Sequence, residues 1–144
     1  MERSSTAVWR GAGKEGSGTI STQSGALKEH KHSASSRFVA EDGTPGTNPE
    51  ELVAAAHASC FGMALAFMLT GAGHAPEELK TSAHVNLEKV AEAWTVTGIR
   101  LTVTGKVPGM APDAFAEIAQ KAKNECPISR LLSSVPMTLE AKLA

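Results

Sequence analysis

The chain has 144 residues, with 14 Lys and Arg against 15 Asp and Glu for a formal net charge of −1, and it is 42% hydrophobic but only 4% aromatic. That length suits one domain with a real core, expected to span residues 1–144. The balanced charge speaks against nucleic acid or an anionic membrane as partner, and the lack of Tyr against base-stacking or sugar-binding surfaces.

Two cysteines are too few for a secreted disulfide scaffold, and no charged-then-apolar leader opens the chain. A cytoplasmic, reducing setting is expected, in which the pair is either inert core or reactive thiol. The first third reads as strands and turns. Ala7–Arg10 and Gly18–Thr22 form a hairpin whose apolar face Trp9 can cover, with a turn at Ser24-Gly25. Lys28 to Ser36 is polar and unpatterned, which reads as a loop. Asp42 to Gly46 reads as a turn. His30, His32, His74 and His84 are expected on loops or in solvent; their spacing matches no metal-ligand pattern, so neither metal nor cofactor is expected.

A long helix follows. Asn48 is placed to cap it, Pro49 fits its first position, and Glu50 and Glu51 meet the dipole. From Leu52 to Leu69 only His57, Ser59 and Gly62 interrupt the apolar run, so the helix should be buried nearly all round. Its length would suit a membrane span, but its acidic start and the lack of basic or aromatic anchors argue against one. One sheet covers one face only, and a second subunit would cover the rest. Gly71 to Pro76 ends the helix.

Ser82–Lys89 and Trp94–Val107 alternate as strands, with a bulge expected at Gly98 where the parity shifts. Pro108-Gly109 turns the chain into a helix over Ala111–Lys123, and Ile128–Leu132 makes a further helical turn. Met137–Leu143 alternates as a half-buried antiparallel strand. Strands, long helix, strands, helix and strand in that order predict an α+β fold of antiparallel sheets around a buried central helix.

Cys60 lies mid-helix among apolar residues, where burial alone makes a thiol inert. Cys126 stands where one helix ends and another can start. A reactive thiol also needs a cation; Arg10, Arg37, Arg100 and Arg130 are candidates, and Glu50 or Glu51 could fix one of them bidentately. Solvated surface charges and core thiols remain the open alternative. His57, one turn before Cys60, is expected to be a hydrogen-bonded core histidine rather than a general base.

Two segments carry a resemblance. Asn48-Pro49-Glu50-Glu51-Leu52 followed by Ala54-Ala55-Ala56-His57-Ala58-Ser59-Cys60-Phe61, and later Ala122-Lys123-Asn124-Glu125-Cys126-Pro127-Ile128-Ser129, resemble the OsmC/Ohr family. Gly18 to Gly25 and Asn86 to Val90 are similar to its OsmC branch, the osmotically inducible protein C type. The resemblance covers essentially the whole chain. It implies a cysteine-based hydroperoxide reductase of oxidative-stress defence, working as an intertwined homodimer with sites at the subunit interface. By position it implies Cys60 as peroxidatic cysteine, Cys126 as resolving cysteine, Glu50 as the carboxylate and Arg37, in Ser36-Arg37-Phe38, as the arginine. Organic hydroperoxide is the implied substrate and an external dithiol, a lipoyl-protein system in the organic-peroxide relatives, the implied reductant.

A small-molecule binding protein or a redox sensor on the same scaffold stays open at this point. Glu50 and Cys60 are ten positions apart on one helix, on the order of 15 Å of axis. A single straight helix cannot bring them together, so Glu50 and Arg37 are expected to serve the Cys60 of a partner subunit.

Overall fold

The computed structural model describes residues 1–40 and 46–144, so most of the turn expected over Asp42 to Gly46 lies outside the described residues. Two compact units divide the chain, 1–52 and 53–144.

In the first unit, β1 (Ser5–Arg10) and β2 (Ser17–Thr22) form the expected antiparallel hairpin. Gly25, at φ +76, sits in the turn after β2 and donates its N–H to Thr22 O at 3.0 Å. The stretch read as a loop behaves differently. His30–Ser33 is strand β3, antiparallel to β2, and Ala34–Phe38 is helix α1. An edge strand that stays exposed needs backbone partners, not apolar alternation, and its polar side chains hid it. His30 and His32 are therefore strand residues; His32 packs its ring on Trp9, with centroids 5.4 Å apart. Helix α1 starts at a reciprocal cap, in which Ser33 Oγ accepts from Ser36 N and Ser36 Oγ accepts from Ser33 N, both at 3.0 Å. The returning chain crosses β3 closely. Thr47 N donates to Lys31 O at 2.9 Å, and Gly46, at φ +111, would place a Cβ 2.5 Å from that same oxygen. Only glycine fits there.

Helix α2 (Pro49–Gly71) opens as expected, with Asn48 Oδ1 accepting from Glu51 N at 2.8 Å. It closes on a glycine cap. Gly73, at φ +85, donates to Thr70 O at 3.0 Å, and His74 donates to Leu69 O at 2.9 Å.

The second unit holds the remainder of α2 and a sheet of order β4-β5-β6: β4 (Glu78–Val90), β5 (Ala93–Lys106) and β6 (Met137–Leu143). Strands β4 and β5 are antiparallel. Their register shifts where Asn86 faces Gly98 and Leu87 faces Val96, leaving Thr97 as the extra residue beside the glycine expected to mark it. Strand β6 corrects the antiparallel expectation: it pairs parallel to β5, from Ile99 opposite Met137 to Gly105 opposite Leu143. Helices α3 (Pro112–Glu125) and α4 (Pro127–Leu131) supply the crossover that a parallel neighbour requires. The sheet is therefore mixed within an α+β fold.

The core joins α2, α3 and this sheet through Phe61, Leu65, Leu69, Leu101, Phe115 and Ala119, all fully buried. Helix α2 is long and apolar enough to cross a membrane by length and composition. Within the chain its fully buried residues His57, Phe61, Leu65 and Leu69 follow one stripe. It is not buried all round: Met63 is 60% and Phe67 75% exposed, because one sheet covers one face of a helix.

Candidate active site

The two sulfurs meet. Cys60 lies in α2, half-buried, one turn past the buried His57. Cys126 is fully buried where α3 ends and α4 begins. Its N–H donates to Ala122 O at 2.9 Å, closing α3, and its carbonyl accepts from Arg130 N at 3.0 Å, opening α4. Pro127, lacking an N–H, cannot continue α3 but fits the first position of α4. The local sequence thus holds Cys126 at a corner, and the Cys126 and Cys60 sulfurs are 3.1 Å apart with both thiols free. A disulfide needs about 2.05 Å, so roughly an ångström of approach would join them.

The two thiols are shifted in opposite directions. Burial pushes the Cys60 thiol up, and the adjacent Cys126 adds to that. Burial also acts to raise Cys126, but the Cys60 thiol, the Ser129 N–H and hydroxyl and the Ile128 N–H outweigh it, so the Cys126 thiol lies below its ordinary value.

Behind the sulfurs, His57 is fully buried with its Nε2 2.8 Å from Ser129 Oγ. Burial lowers the pKa of the ring, which favours the neutral form. This is the hydrogen-bonded core histidine the sequence suggests. Ser129 is the residue that sequence reasoning missed. Its signal was its place three residues after Cys126, where a helix-opening turn folds back on its first residue.

The charged candidates sort themselves in the first unit. Arg37, on α1, grips Glu50 bidentately, with Nη2 to Oε1 at 2.7 Å and Nε to Oε2 at 3.2 Å. Glu51 instead accepts from the Thr47 hydroxyl at 2.9 Å. The Arg37 guanidinium also lies 4.9 Å from the Phe38 ring centroid. Among the described residues no three His, Cys, Asp or Glu side chains gather as metal ligands. A groove of about 540 Å³ runs past Lys123, Ser129, Arg130 and Met137, but neither sulfur lines it.

These features define an α+β protein with a closely spaced thiol pair, an arrangement fitted to thiol–disulfide chemistry. The chain belongs to the OsmC-like protein family, whose pattern matches residues 41–140. It is 43% identical over 143 residues to the peroxiredoxin OsmC of Escherichia coli K12, covering 99% of this chain and 97% of the relative. The OhrB organic hydroperoxide resistance protein of Bacillus subtilis has a similar fold, with a TM-score of 0.69 at 24% identity over 96% of this chain and 97% of the other. An OsmC-like protein of unknown function from Vibrio cholerae gives a TM-score of 0.77 at 19% identity, over 98% of this chain and 99% of the other.

Proposed function

We propose that the chain is a thiol-dependent peroxidase that reduces organic hydroperoxides to alcohols. The observation that carries this reading is the pair of free sulfurs 3.1 Å apart, one of them half-buried and so open to a reactant. The relatives support it: the Escherichia coli protein is named a peroxiredoxin and the Bacillus subtilis protein an organic hydroperoxide resistance protein.

The Cys60 thiolate attacks the distal oxygen of the hydroperoxide. The O–O bond breaks, the alkoxide leaves and takes a proton, and Cys60 becomes a sulfenic acid. Cys126 then displaces the hydroxyl and closes a disulfide, which an external dithiol reduces. H2O2 can enter the same first step, but the apolar cluster against which Cys60 packs favours an alkyl chain.

Charge decides the first step. Because burial raises the Cys60 thiol, Cys60 needs a guanidinium to hold its thiolate and the developing alkoxide. Arg37, oriented by Glu50, is the proposed cation. Helix α2 is continuous from Pro49 to Gly71, so Glu50 and Cys60 of one chain remain on the order of 15 Å apart along it. The reading therefore takes Arg37 and Glu50 from a second copy, in a homodimer that covers the exposed Met63 and Phe67. Residues 1–144 then work as one OsmC-like domain within that dimer, in a reducing cytoplasm.

Steady-state consumption of H2O2 and of alkyl hydroperoxides with a dithiol tests the reading. Catalytic turnover, faster with alkyl hydroperoxide, is expected. Stoichiometric oxidation without turnover would make the protein a redox sensor, and no thiol loss would make it a binding protein.

A further inference from the structure

The bond between His57 and Ser129 has no part in the steps set out above, yet it is almost sealed from water, with His57 0% and Ser129 6% exposed. His57 lies three residues before Cys60 on α2, and Ser129 lies three residues after Cys126 across the first turn of α4. The His–Ser contact at 2.8 Å and the sulfur contact at 3.1 Å are therefore two successive rungs between the same two segments.

The direction of the first rung follows from burial. Among the described residues His57 Nδ1 is buried without a partner. An orphaned buried N–H is rarer and more costly than an orphaned lone pair, so the ring proton belongs on Nε2, which donates to Ser129 Oγ. That leaves the single Ser129 proton for another acceptor. The Ser129 hydroxyl is among the groups that stabilise the charged form of Cys126.

We propose that His57 and Ser129 are positioning residues for the disulfide-forming step, His57 holding the Ser129 hydroxyl so that its proton faces the Cys126 thiolate and α4 stays braced against α2 one turn from the sulfurs. The proposal rests on the reading of Cys60 as peroxidatic and Cys126 as resolving. In the step it serves, the Cys126 thiolate attacks the sulfur of the Cys60 sulfenic acid. The S–S bond forms, the Cys60 S–O bond breaks, and the departing hydroxide takes a proton from solvent to leave as water. The oxidant was the hydroperoxide already consumed, and no other is needed.

Single-turnover oxidation with one equivalent of tert-butyl hydroperoxide separates the two steps. Hydroperoxide loss reports the first step. Disulfide formation by mass, with the sulfenic acid trapped by a cyclic diketone, reports the second. His57→Leu and Ser129→Ala are expected to slow disulfide formation at least about tenfold, the size of one lost hydrogen bond to a charged group, and to accumulate trappable sulfenic acid. Their first step should stay within about twofold of wild type, because both residues serve the Cys126 side of the pair. His57→Gln and Ser129→Thr keep a donor at each position and should restore most of the second rate. Wild-type disulfide formation in both Leu and Ala variants would overturn the proposal, as would equal slowing of both steps or no rescue by Gln and Thr. A wild-type protein that forms no disulfide at all would instead overturn the parent reading of the cysteine pair, and this proposal with it.

Discussion

Arg37 and Cys60 offer a test in which two inactive chains make an active protein. The perturbation is a pair of single substitutions, Cys60→Ser and Arg37→Ala, purified separately and mixed. Neither should unfold the chain: Arg37 is 35% exposed and its pair with Glu50 meets solvent, where ion pairs contribute little to stability. Each homodimer lacks a working site, one for want of the thiol, the other for want of the guanidinium. If Arg37 and Glu50 serve the partner's Cys60, a heterodimer has one complete site and one doubly defective site. Random exchange at equal concentrations makes about half the dimers mixed, so about a quarter of all sites regain function; a purified heterodimer regains about half. The assay is hydroperoxide consumption with a dithiol, set against wild type at equal chain concentration. Heterodimers proven by mass that recover no activity would refute a site shared between subunits.

Two further outcomes concern stability. Gly105→Ala would set a Cβ 2.7 and 2.8 Å from ring carbons of Phe115 and 3.1 Å from Leu79 Cδ2, so overpacking should cost about 1–3 kcal/mol in urea unfolding, and an unchanged midpoint would contradict the packing described. The pKa of His57 is lowered from 6.5 on folding, so the unfolded chain binds a proton more readily there; that part of the stability is present above pH 6.5 and is lost as the pH falls through the folded value. His57→Gln should flatten this acid loss, and a variant with the wild-type pH dependence would rule His57 out as its source.

Elements with a strong local signal were legible in the sequence. Asn48-Pro49-Glu50 marks the start of α2 and Gly98 the bulge in β5, because capping and ladder breaks are written in single residues. Cys126-Pro127 likewise marks the corner between α3 and α4. What was hidden depends on partners elsewhere. His30–Ser33 is a strand because β2 offers it a ladder, not because its side chains alternate. Met137–Leu143 alternates equally well in either direction, and its parallel pairing follows from the path of α3 and α4. At the site, the bidentate choice of Glu50 over Glu51 and the link from His57 to Ser129 across 72 residues are tertiary facts with no local signature.

The central claim is that Cys60 takes the oxygen and Cys126 resolves it, and thiol counting by intact mass after one equivalent of hydroperoxide tests it most directly. Wild type should lose both thiols together and yield a disulfide within one chain, as sulfurs already 3.1 Å apart allow. Cys126→Ser should accept one oxidation at Cys60 and then stall with a dithiol, and Cys60→Ser should consume no peroxide. A Cys126→Ser protein that turns over at the wild-type rate, or a wild-type disulfide found only between chains, would contradict the account.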